Sequence, residues 1–265
     1  MRQEKTCKVR LIKILEILRQ DSDWVKIEIW YPSEMKDSNA KYPLVIMANR
    51  TGIKASAYTE VFRHLASWGF IIAGNEDENS RSGASSEATL EYVLQLNSES
   101  GSIFSGKIDT ENIGIAGHSQ GGVGAINAVA EQPSGYKYKA IWTASAPTYQ
   151  ISVDLLKASY DVSSIKIPYF MVAGTLQIDA GNGTDSGIAP LWSLQEKYNA
   201  ITADIPKVLA RRKDTDHGDM LPYADGYMTA WFMYWLKDDK QADFFSGDNA
   251  EILTNALWQD VEKNR

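Results

Sequence analysis

The 265 residues carry 27 Lys and Arg against 34 Asp and Glu, a net charge of −7. That balance argues against a nucleic-acid partner, which needs a concentrated basic surface. With 44% hydrophobic and 23% charged residues the make-up is that of an ordinary globular protein, and a chain of this length buries roughly 70–75% of its unfolded surface, so folding needs neither disulfide nor structural metal.

Cys7 is the one cysteine, which leaves no intrachain disulfide and suits a reducing compartment without requiring one. No stretch reaches the ~18 apolar residues of a membrane span. Residues 9–18 are apolar but interrupted by Arg10, Lys13 and Glu16, a poor signal-peptide core. The expectation is a cytoplasmic protein, or a secreted one whose leader lies outside this numbering. The cluster Arg211-Arg212-Lys213, followed by Asp214 and Asp216, reads as a solvated loop. Nothing calls for a cofactor or metal, and the oligomeric state is not legible.

In chain order, residues 9–19 fit either strand or helix, and Gln20-Asp21-Ser22-Asp23 is a turn. Residues 24–31 alternate and form a strand ended by Pro32. An antiparallel pair at the start is the preferred arrangement. Apolar strands follow at 44–48, 70–73 and 113–116, the first a continuous run as expected of a parallel strand covered on both faces, and further strands at 140–144, 169–173 and 206–210. Between and after them, helical spacing occurs at 58–68, 85–96, 120–130, 191–198, 226–236 and 250–261. The run at 206–210 reads as the last strand. Alternating strands and helices predict a mostly parallel, doubly wound α/β sheet with helices on both faces, whose chemistry sits in loops at the strands' carboxyl ends. The expected organisation is one domain over 1–265: N-terminal strands or an extension over 1–40, a catalytic core over 41–240 and a C-terminal helix over 241–265. The only moderate insertion, 148–164, leaves no large cap, so the site should be fairly open.

One motif carries chemistry. Gly117-His118-Ser119-Gln120-Gly121 lies between an apolar strand and a helix. In G-x-S-x-G the serine occupies a strained strand-to-helix turn that presents its hydroxyl as a nucleophile, and glycines relieve collisions at the flanking positions. A bare five-residue match is weak; in this strand–turn–helix context it is specific. A serine hydroxyl needs a base, and only three histidines exist. His64 falls in a predicted helix as a partly exposed residue. His118 is beside Ser119, where adjacent side chains diverge, and reads as a packing residue. His217, in the loop after the run at 206–210, is the base. The acid belongs between Ser119 and His217 in sequence. Asp179 and Asp185 both stand in the loop after Val172-Ala173-Gly174, and Asp179 is favoured because it is nearer the strand end. Asp185 could instead cap the following helix. The loop from 179 to 185 is oxygen-rich but lacks the register of an EF-hand calcium loop. Asp214 and Asp216 read as loop charges. For the oxyanion, the Gln120 amide is one donor and a turn amide among Arg50, Thr51 and Gly52 the other, Thr51 being preferred.

Three segments together, Pro43-Leu44-Val45-Ile46, Leu65-Ala66-Ser67-Trp68-Gly69-Phe70 and Gly117–Gly122, resemble the dienelactone hydrolase-related branch of the α/β-hydrolases. Cutinase-type polyester hydrolases and platelet-activating-factor acetylhydrolase-like proteins are neighbours in that branch. The resemblance covers roughly residues 40–240 and implies the α/β-hydrolase fold and a serine hydrolase acting on carboxylic esters through an acyl-enzyme. Relatives often carry His-Gly or Pro-Gly where Asn49-Arg50 stands here. Dienelactone hydrolases use a cysteine where this chain has Ser119, so dienelactone is not the expected substrate. Trp142 and Trp192 fall near strand ends, where they could line an acyl pocket. A small-molecule ester is the expected substrate; thioester, amide or peptide cleavage, and a silent binding protein, are the alternatives that the same fold allows.

Overall fold

The computed structural model describes residues 9–15, 26–182 and 186–265. Its described strands, counted along the chain, form one nine-stranded sheet in the order first, second, fourth, third, fifth, sixth, seventh, eighth, ninth. Of the ambiguous segment 9–19, the described part, 9–15, is a strand. β1 (Val9–Leu15) pairs antiparallel with β2 (Lys26–Pro32), Ile12 opposite Ile29, and β2 runs antiparallel to β4 (Ile71–Asn75). Cys7 and the predicted turn at 20–23 lie outside the described residues.

From β4 the sheet is parallel through β3 (Tyr42–Ala48), β5 (Ile108–His118), β6 (Tyr138–Ala144), β7 (Tyr169–Gly174) and β8 (Lys207–Arg212). The apolar runs are two-sided because successive side chains enter different cores. Val45 and Met47 join one core; Leu44, Ile46 and Ala48 join the other. α1 (Thr59–Ser67) and α7 (Met220–Lys237) cover the first face. The second is covered by α2 (Ala84–Ser98), α3 (Gln120–Ala130) and α6 (Leu191–Ala200). The stretch at 148–164 folds as short helical turns, including α4 (Tyr149–Ile151), and α5 (Gln177–Ala180) follows β7.

Three expectations are corrected. The run at 206–210 is not the last strand, and residues 241–265 do not end in a helix. The predicted helix at 250–261 divides into α8 (Glu251–Thr254) and β9 (Trp258–Lys263), which pairs antiparallel with β8. The apolar spacing of Ile252, Leu253, Leu257 and Val261 is locally helical, but the open edge of β8 offers a ladder of unpaired backbone groups that only a strand can satisfy. Trp258 is buried by that pairing. Finally, Arg211 and Arg212 belong to β8 rather than a solvated loop, and the Arg211 guanidinium holds Asp260 at 2.7 and 2.8 Å.

Candidate active site

The turn between β5 and α3 puts Ser119 at φ 56°, ψ −124°, a conformation uncommon for a residue with a Cβ and characteristic of strained functional positions. Its amide donates to Ala144 O at 2.9 Å, anchoring the turn to the end of β6. The two motif glycines are there for space. A Cβ at Gly117 would stand 2.0 Å from Gly121 O, and one at Gly121 would stand 2.1 Å from Ala48 O. Any side chain would push α3 off the sheet and move the hydroxyl.

The loop after β8 brings His217 to that hydroxyl. His217 Nε2 is 2.8 Å from Ser119 Oγ, and Nδ1 is 2.7 Å from Asp179 Oδ1. Asp179 is fully buried on α5. Its second oxygen, Oδ2, accepts from Ser145 Oγ at 2.5 Å and from the Gly174 amide at 2.7 Å. A carboxylate holding donors on both oxygens is fixed in orientation. Of the two loop aspartates, Asp179 therefore joins Ser119 and His217; Asp185 lies outside the described residues.

Three further side chains hold this arrangement, and sequence spacing pointed to none of them. Asp216, expected to be a loop charge, accepts through Oδ1 from the amides of Ile178, Asp179 and His217 at 2.9, 3.1 and 2.9 Å. It ties the acid's helix to the histidine's turn. Its position directly before His217, as an N-cap, is the signal that could have found it. Ser145, just past β6 at φ 51°, is buried against Asp179. His118 is buried, and its Nε2 donates to His217 O at 2.7 Å with the two rings 5.1 Å apart. Its partner is a carbonyl, so the proton sits on Nε2. Burial, reinforced by the neighbouring His217, pulls its pKa down to about 3, so it stays neutral. His64 is elsewhere, on α1, 4.0 Å from Asp225 Oδ2.

On the other side of Ser119, Gln120 opens α3, where backbone N–H groups point outward unpaired by the helix. Its side chain donates to Thr51 Oγ1 at 2.9 Å, joining the elbow to the turn after β3. In that turn the Arg50 amide is taken by Tyr58 Oη at 3.0 Å and the Gly52 amide by Glu78 O at 3.2 Å. Among the described residues no acceptor engages the Thr51 amide. Asn49, buried beneath, donates to the carbonyls of Asn75 and Asp77 and accepts from Ser80 Oγ, fixing the turn to the end of β4. Trp142 does not line a pocket: it is fully buried in the core at β6, whereas Trp192 is partly exposed on α6. A cavity of about 370 Å³ opens beside the site, lined by the Arg50 turn, α1, His118, Gly218 and the start of α7. Among the described residues no group of three or more His, Cys, Asp or Glu is placed to hold a metal ion, and no helix is long and apolar enough to cross a membrane.

A doubly wound sheet carrying a serine elbow at the end of its central strand, with a histidine and a carboxylate on later loops, defines an α/β-hydrolase. Within that class, the chain belongs to the PET hydrolase-like family, whose model matches residues 16–263. It is accordingly a carboxylic ester hydrolase. The match extends past the 40–240 stretch of the resemblance and takes in the antiparallel strands β2 and β9. No curated protein matches the chain.

Proposed function

We propose that the chain cleaves carboxylic esters through a Ser119–His217–Asp179 triad and an acyl-enzyme intermediate. The observation that carries this reading is the unbroken hydrogen-bonded chain from Asp179 Oδ1 through the His217 ring to Ser119 Oγ, at 2.7 and 2.8 Å. Ser119 Oγ attacks the acyl carbon while His217 Nε2 takes its proton and then delivers it to the leaving alkoxide. Asp179 keeps the proton on Nδ1 and stabilises the imidazolium as it forms. Water repeats the sequence on the acyl-enzyme and releases the acid. The amides of Gln120 and Thr51 receive the oxyanion; both are free of intramolecular acceptors among the described residues, which is what such donors require before substrate arrives.

The test is covalent labelling by a fluorophosphonate probe together with turnover of p-nitrophenyl esters over a range of acyl chain lengths. The wild type should label and turn over, and Ser119→Ala should do neither. Labelling of Ser119→Ala as strong as wild type would remove the nucleophile assignment, and an unlabelled, inactive wild type would favour a silent binding protein.

A further inference from the structure

The cavity beside the triad contains a cation, Arg50, that has no partner among the described residues. Arg50 lines it, half-buried, and among the described residues its guanidinium has no hydrogen bond, ion pair or ring partner. In a chain with more acids than bases, an arginine left without a carboxylate next to reactive residues calls for an account. Its backbone is held firmly. The Arg50 amide donates to Tyr58 Oη at 3.0 Å, and Arg50 O accepts from the Ile53 amide at 3.1 Å. Tyr58 is buried, which pushes its pKa up to about 12 and keeps it a neutral anchor.

The guanidinium is close to the reacting groups. Arg50 Nη1 lies 3.8 Å from the point where a side chain on Gly218 would begin, and Gly218 directly follows His217. His118, the neighbour of Ser119, forms another wall. Glu60 is the one carboxylate lining the cavity, and it is engaged by Arg63 at 2.6 and 2.7 Å rather than by Arg50. The remaining walls are largely apolar: Ile53, Ala57, Val61, Leu221 and Pro222. At about 370 Å³ the space suits a group of aromatic-ring size. An apolar slot ending in a planar forked cation is the complement of an apolar group bearing a carboxylate.

We propose that this cavity receives the alcohol portion of the ester and that Arg50 makes the enzyme selective for esters whose alcohol portion carries a free carboxylate. The proposal rests on the triad reading above. The alcohol side is assigned because His217 Nε2 must reach the leaving oxygen to protonate it, and the cavity lies on the His217–Gly218 flank. Arg50 would bind the remote carboxylate and so position the scissile bond; it takes no part in proton transfer.

The experiment compares 4-carboxyphenyl butyrate with its isosteric neutral counterpart, 4-carbamoylphenyl butyrate, each rate being normalised to alkaline hydrolysis. In the wild type at low ionic strength, kcat/KM should favour the carboxylate by about tenfold or more, the range of one charge-assisted hydrogen-bonded contact. Arg50→Gln should bring the ratio to about one, mainly through KM, because the contact holds substrate and transition state alike. Arg50→Lys should retain part of the preference, and added salt should erode it in the wild type. A wild-type ratio near one, or a ratio unchanged in Arg50→Gln, overturns the proposal while leaving ester hydrolysis standing. So does turnover of p-nitrophenyl butyrate with neither of the two esters cleaved. Failure on all three substrates overturns the hydrolase reading itself, and the proposal with it.

Discussion

Ser119, His217 and Asp179 are supported unequally by their neighbours, and that inequality makes predictions. Asp179 is held on both oxygens, by His217 on one side and by Ser145 and the Gly174 amide on the other. Asp179→Asn keeps the shape but reverses the hydrogen bond to Nδ1, so kcat should fall by about 10⁴ as in other wrong-tautomer triads. Ser145→Ala removes one donor and leaves the tautomer intact, so a loss of about tenfold is expected. Steady-state kinetics on a p-nitrophenyl ester separates the two; near-normal turnover in Asp179→Asn would move the acid to another residue. His118 makes a different prediction. Its pKa is about 3 in the folded chain against an ordinary 6.5, the lowering coming first from burial and then from His217. The unfolded chain therefore binds the extra proton first, and stability falls as pH drops from about 6.5 toward 3. His118→Gln can still donate to His217 O but does not titrate. Denaturant unfolding at a series of pH values should show a shallower acid loss in this variant than in wild type, and parallel curves would contradict the prediction.

Elements carry site residues into place, and α6 shows what such an element tolerates. Lys197 is buried on α6, its Nζ donating to Ser193 Oγ at 2.6 Å and lying 5.7 Å from the Tyr160 ring centroid. Burial drives its pKa down to about 7, with Glu196 only partly opposing. Folded Lys197 gives up its proton near pH 7 and unfolded Lys197 near 10.5, so the charged form penalises folding below pH 7 and the penalty fades between 7 and 10.5. Lys197→Met should raise stability by about 1–3 kcal/mol below pH 7, with the gain shrinking as pH approaches 10. Thermal or chemical unfolding at pH 6 and pH 10 checks both sign and trend. At the sheet's far edge, β9 closes β8 through the Arg211–Asp260 pair and the burial of Trp258. That edge is structural and distant in sequence from the elbow, yet β8 is the strand whose end launches the His217 loop.

Across the whole molecule, the two cores on either face of the sheet fix how far the loops can shift. α7 begins right after the His217 turn and lays Trp231 against the sheet, its Nε1 donating to Ile141 O at 3.1 Å. Trp231 is almost fully buried, within 5.5 Å of the Phe170 and Phe245 ring centroids. Trp231→Ala should cost about 3–5 kcal/mol, since it opens a cavity in the core. Urea unfolding measures this directly, and a loss under 1 kcal/mol would show that α7 repacks. Negative net charge and the scatter of basic residues hold at this scale as well, leaving Arg50 conspicuous as a cation inside a cleft with no partner among the described residues.

Local sequence determined the elbow, because the close approaches at Gly117 and Gly121 and the strand–turn–helix order are constraints acting within a few residues. It also determined the parallel strands, whose apolar runs reflect burial on both faces, and the choice of His217 as the proposed base, since only three histidines compete. Tertiary structure decided the rest. Whether Asp179 serves His217 depends on Ser145, 34 residues away, and on Asp216, 37 residues away. That Trp142 is core and not pocket depends on which face of β6 it meets. The C-terminal strand exists because β8 has an open edge, and periodicity along 250–261 contains no information about that edge. An elbow is written into five consecutive residues; the groups that orient its partners meet only when separate strands end side by side.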